Sequence, residues 1–86
     1  MKISVELTLT PLQDNFEPPI INFIQKLRVS DLTVLENPLS TQVYGDYDKV
    51  MGLLQAEIKD AFANLDHVVL QMKLVKSDRS TYEPHF

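Results

Sequence analysis

The chain has 86 residues, a net charge of −4 and no cysteine. That length leaves room for one domain with one core, and the missing thiols exclude disulfides, thiolate metal sites and cysteine nucleophiles. Its Lys and Arg residues are scattered rather than clustered, which argues against nucleic acid as a partner.

No apolar run approaches the roughly 20 residues that span a bilayer. The start, alternating from Met1 to Leu7, lacks the basic flank and apolar stretch of a signal peptide. The expectation is a cytoplasmic protein with no nucleic-acid or membrane partner. A domain this small buries only about two thirds of its unfolded surface, and small domains without staples recover stability by self-association.

Residues 2 to 10 alternate, with Ile3, Val5, Leu7 and Leu9 on one face and Ser4, Glu6, Thr8 and Thr10 on the other. This is a strand, which Pro11 stops. Leu12 to Glu17 is polar and loop-like. Pro18-Pro19 then opens a helix, since a first-turn amide has no intrahelical partner to lose. Ile20, Phe23, Ile24 and Leu27 set its apolar side, and it runs to about Arg28.

Leu32 to Glu36 reads as a second strand, Asn37-Pro38 as a turn, and Leu39 to Tyr44 as a third strand with Gly45 at its end. Asp46 stands at an N-cap position, with Asp48 adding favourable charge at the helix start. Val50, Leu53, Leu54, Ile58, Ala61, Phe62 and Leu65 fall on one helical stripe. In the fourth strand Val68, Leu70, Met72 and Leu74 alternate with Val69, Gln71 and Lys73.

The order β-α-β-β-α-β predicts an α+β, ferredoxin-like sandwich spanning residues 1–76. It has a four-stranded antiparallel sheet in the order 4-1-3-2, with both helices on one face. Residues 77–86 read as an irregular C-terminal tail, with Tyr82 and Phe86 at a frayed end.

The helices cover one face, so the other should present Ser4, Glu6 and Thr8, with Gln42, Tyr44, Val69, Gln71 and Lys73. It is either simply solvated or closed by a partner subunit. Glu6 is a carboxylate in the middle of a central strand, where strand propensity disfavours it. It either bridges Lys73 on the neighbouring strand or holds an amine-bearing ligand.

Chemistry is otherwise sparse. Two glycines cannot build a phosphate-binding loop, and His67 and His85 lack metal-ligand spacing. Ser4 and Ser40 have no histidine to serve as base. An acylphosphatase-type enzyme shares the topology but needs an arginine in the loop after the first strand, and Leu12 to Glu17 contains none. The expectation is a binding protein, not an enzyme.

Three stretches resemble one family. Met1 to Leu7 with Pro11-Leu12 is similar to the first strand of the small thiamine-binding protein family. Asn37 to Met51, with Pro38, Leu39, Thr41, Gly45, Asp46 and Tyr47 in order, resembles its central motif. Met72 to Leu74 with Asp78-Arg79 resembles its closing strand. The resemblance implies a ferredoxin-like subunit that pairs through its sheets, often as a homotetramer. It also implies binding of thiamine or its hydroxymethylpyrimidine part near subunit contacts; separately, no cofactor is expected.

Carried onto this chain, the ligand-binding candidates are Ser4, Glu6, Asn37, Ser40, Thr41, Gln42 and Tyr44. By alternation Thr41 falls on the helix-covered side, and Asn37 and Ser40 stand where relatives commonly carry glycine. An aminopyrimidine suits the open face. Its amine donates to Glu6, ring nitrogens accept from Ser4 or Gln42, and the ring stacks on Tyr44. A cationic thiazolium suits an acidic chain. The competing reading is a structural or regulatory module that self-associates through the same face.

Overall fold

The computed structural model describes all 86 residues. Its elements are β1 (Lys2–Pro11), α1 (Glu17–Arg28), β2 (Thr33–Glu36), β3 (Thr41–Asp46), α2 (Tyr47–Asn64) and β4 (Val68–Val75). The strands form one sheet in the order β2-β3-β1-β4, with every neighbouring pair antiparallel. This is the ferredoxin-like arrangement read from the sequence.

Alternation in β1 sets the layers. Ile3, Val5, Leu7 and Leu9 are buried under the helices together with Phe23 and Leu27 of α1, Val43 of β3, and Val50 and Leu54 of α2. Acidic Glu17 in the first turn of α1, and Lys26 and Arg28 in its last, complement the helix dipole. Arg28 also reaches β2, its Nε and Nη2 donating to the two Glu36 carboxylate oxygens at 2.6 and 2.7 Å.

Several local expectations are corrected. β3 begins at Thr41, not Leu39. The Asn37 Oδ1 accepts from the amides of Leu39 and Ser40 at 2.8 and 2.9 Å, and this side-chain turn holds both residues out of the ladder. Asp46 occupies the N-cap position of α2 but makes no side-chain cap bond. Its carboxylate instead accepts from the Met1 ammonium at 3.2 Å.

Phe62 lies on the expected stripe yet is 48 % exposed. Met72 and Leu74 share the helix side of the sheet through their partners Leu7 and Val5, but are 41 % and 45 % exposed. The cause is shared: β4 is an edge strand, and the two helices do not cover its outer half.

Candidate functional site

The register stacks the open face in rows. Across one row lie Thr33, Tyr44, Ser4 and Val75; across the next lie Leu35, Gln42, Glu6 and Lys73. Glu6 is therefore flanked by Gln42 on β3 and Lys73 on β4. The two rows are separated by the i, i+2 spacing of a strand, about 7 Å.

A recess of about 160 Å³ opens here, lined by Ser4, Glu6, Gln42, Tyr44, Lys73 and Arg79, with Val5 and Val75. A shallower continuation runs along β1 and β4 past Thr8 and Gln71, sharing Glu6 and Lys73.

No Glu6–Lys73 ion pair forms; the chain's ion pairs involve Met1, Lys26 and Arg28 instead. A relay of amide and hydroxyl donors ends on Glu6. Gln42 Nε2 donates to Ser40 Oγ at 2.6 Å, and Ser40 Oγ donates to Glu6 Oε2 at 3.0 Å. Ser40 has a single proton, so the relay has one direction. It leaves Glu6 Oε1 and Gln42 Oε1 as free acceptors facing solvent. An amine with two N–H groups matches such an edge.

Ser4 behaves differently from the expectation. It is 7 % exposed although it sits on the face without helices. Its cover is the start of the C-terminal tail. Ser4 Oγ donates to the Ser77 carbonyl at 2.7 Å and accepts from the Arg79 amide at 2.8 Å. That hydroxyl is thus committed to the tail and is not a donor for a ligand ring nitrogen; the second Nε2 proton of Gln42 remains for that role. Residues 77–86 form no helix or strand, and Tyr82 and Phe86 are exposed.

The seven candidates divide between two places. Ser4, Glu6, Gln42 and Tyr44 line the recess. Asn37 and Thr41 line a notch of about 290 Å³ on the other side of the sheet, against Ile20 and Ile24 of α1. Ser40 joins the two, lining the notch while its hydroxyl bonds Glu6. Asn37 is occupied in its own turn. Thr41 is buried, as alternation requires, but its hydroxyl makes no hydrogen bond within the chain.

Arg79 was missed as a recess residue, because only the long-range docking on Ser4 brings it there. A third cleft, of about 130 Å³ between α1 and α2, is lined by Lys26, Glu57 and Asp60 among others. Lys26 pairs there with Asp60 and stands 3.9 Å from Glu57 Oε2, a buried oxygen that has no hydrogen-bond partner within the chain.

No protein-family model matches the chain, and no functionally curated protein matches it. Solved structures do. A Streptococcus pneumoniae protein shares 25 % identity, covering 91 % of this chain and 89 % of its own, with a TM-score of 0.84. A candidate thiamine biosynthesis/salvage protein from Thermotoga maritima is similar over 86 % of this chain and 82 % of its own, with 18 % identity and a TM-score of 0.77. A domain of unknown function, DUF77, from Bacillus cereus matches at 11 % identity over 91 % of this chain and 78 % of its own, with a TM-score of 0.75.

Proposed function

We propose that the protein is a non-catalytic small-molecule binder that takes an aminopyrimidine, either thiamine or its hydroxymethylpyrimidine part, in the open-face recess. A second copy of the chain closes the sheet over it. The observation that carries this reading is the Gln42–Ser40–Glu6 relay, which presents acceptors beside the half-buried ring of Tyr44. The amine donates to Glu6 and Gln42, a ring nitrogen accepts from Gln42, and the flat ring lies against Tyr44. The sequence resemblance and the thiamine-related fold neighbour from Thermotoga maritima support the choice of ligand.

Self-association is supported by what the isolated subunit leaves bare. Leu35 and Val69 are half-exposed on the open face, and β4 offers an unpaired backbone edge eight residues long. Such edges are ordinarily covered or blocked.

Calorimetric titration with thiamine and with hydroxymethylpyrimidine tests the proposal. Heat of binding is expected for the folded wild type and its loss for Glu6→Ala, with sedimentation size unchanged. Absence of heat at millimolar ligand would reject the binder. If Glu6→Ala instead lowers the assembly state, the face serves association and not ligand capture.

A further inference from the structure

We infer that the ligand of the open-face recess carries a phosphate ester. This rests on the aminopyrimidine reading above and adds the chemistry of the ligand's other end.

The recess is polarised. Toward β3 it holds neutral hydrogen-bonding groups, Ser40 and Gln42, around the single carboxylate of Glu6. Toward β4 and the tail it holds two cations, Lys73 and Arg79. Gln42 and Lys73 flank Glu6 on opposite neighbouring strands, so the two ends lie about 10 Å apart across the sheet.

Neither cation is neutralised within the chain. The carboxylate opposite Lys73 receives Ser40 rather than the ammonium, and no acidic group lies within ion-pair distance of Lys73 or Arg79. In a protein of net charge −4, this recess has two positive groups against one negative. A cationic thiazolium placed there meets repulsion from both, contrary to the expectation from overall charge, so of the two proposed ligands the recess favours the uncharged hydroxymethylpyrimidine part over thiamine. A phosphate monoester meets attraction from both.

Arg79 is also positioned for the task. Its backbone amide is held by Ser4 Oγ, and its Nε donates to Ser77 Oγ at 2.9 Å. These two anchors fix the root and the neck of the guanidinium while leaving Nη1 and Nη2 without partners. A guanidinium held this way offers terminal N–H groups in the fork that matches phosphate oxygens. Lys73, a mobile point charge on the adjacent strand, supplies the second positive contact.

Calorimetry separates this inference from the reading beneath it. Wild type is titrated with hydroxymethylpyrimidine, hydroxymethylpyrimidine phosphate, thiamine and thiamine monophosphate, and the affinity ratio of each ester to its alcohol is taken. The expected ratio is at least tenfold in favour of the ester. It should shrink in Arg79→Gln and further in the Arg79→Gln/Lys73→Gln double variant, and fall with added salt. If the alcohols bind and the esters bind no tighter, the phosphate inference is overturned while the aminopyrimidine reading stands. A ratio that survives intact in the double variant also overturns it. If neither alcohols nor esters bind, both fall together.

Discussion

Replacing Ser4 by alanine removes one hydroxyl and two hydrogen bonds, both of which hold residues 77 to 79 against the sheet. Each such bond contributes about 0.5–1.5 kcal/mol net, so the docked tail should lose about 1–3 kcal/mol. The higher cost of an orphaned buried group does not apply, because the Ser77 carbonyl and the Arg79 amide regain water once the segment lifts. A factor of ten in an equilibrium corresponds to about 1.4 kcal/mol. Local opening of the tail should therefore become roughly 5- to 140-fold more frequent.

Amide hydrogen exchange reads this directly, since segmental opening is reported by the amides that it frees. In Ser4→Ala the Arg79 amide should exchange faster by that factor, while the Val43 amide in the sheet centre changes little. The recess loses part of its lining at the same time, because Arg79 belongs to the segment that lifts. Unchanged Arg79 exchange in a folded Ser4→Ala protein would refute the claim that this hydroxyl pins the tail.

Three further outcomes follow from the packing and charge. Leu27 is fully buried, and Leu27→Ala should cost about 2–5 kcal/mol in urea unfolding, a large share of the roughly 4–13 kcal/mol expected for a domain of this length; a loss under 1 kcal/mol would contradict its central place in the core. Gly45 has φ +158°, and an added Cβ would lie 2.7 Å from Leu32 Cδ2 and 3.3 Å from Val50 Cγ2. Gly45→Ala should therefore destabilise by about 1–3 kcal/mol through overpacking, and a neutral melting temperature would count against that crowding. Hydrogen bonding from Arg28 holds the Glu36 carboxyl below its ordinary value of 4.5. Because the folded-state value is depressed, the stabilisation is fully in place above the ordinary value of 4.5 and is lost as the pH falls from there through the folded-state value. Thermal melts should thus fall more steeply below pH 4.5 in wild type than in Glu36→Gln, and parallel curves would show that the pair contributes nothing.

The parts of the molecule legible in the sequence are those governed by short periods. Strict alternation in β1 placed four apolar side chains inward, and it placed Ser4 and Glu6 outward, because a strand repeats every two residues. The same rule assigned Thr41 to the covered side and Gln42 and Tyr44 to the open one. What the period could not report was coverage. Met72, Leu74 and Phe62 obey their patterns yet stay half-exposed, because the extent of two helices over four strands is a tertiary quantity.

Competition among polar partners was equally hidden. Asp46 suits a cap, but the Met1 ammonium beside it carries a full charge where an amide carries a partial one. Lys73 stands opposite Glu6, but Ser40 reaches the carboxylate from the turn that Asn37 builds. Ser4 reads as a surface hydroxyl, and its partner amide lies 75 residues away in sequence. No local signal encodes such a contact.

These non-local contacts also explain how a plain sheet face acquires a polarised recess. The ladder itself contributes Glu6, Gln42 and Lys73 at fixed strand spacings, and neither helix reaches this side. The remaining definition comes from two irregular segments. Residues 37 to 40 orient Glu6 through the Ser40 hydroxyl, and residues 77 to 79 bring Arg79 over Ser4. Each segment is fastened to the rigid central strand by a single serine side chain, so each can shift without disturbing the core. Affinity at the carboxylate end should therefore respond to changes in the Asn37 turn, and affinity at the cationic end to changes in the tail. The two should act nearly independently, since sites without shared partners combine additively. A Ser40→Ala/Ser4→Ala pair whose binding losses fail to sum would mean that the loop and the tail are coupled through the ligand, or through the copy of the chain that covers it.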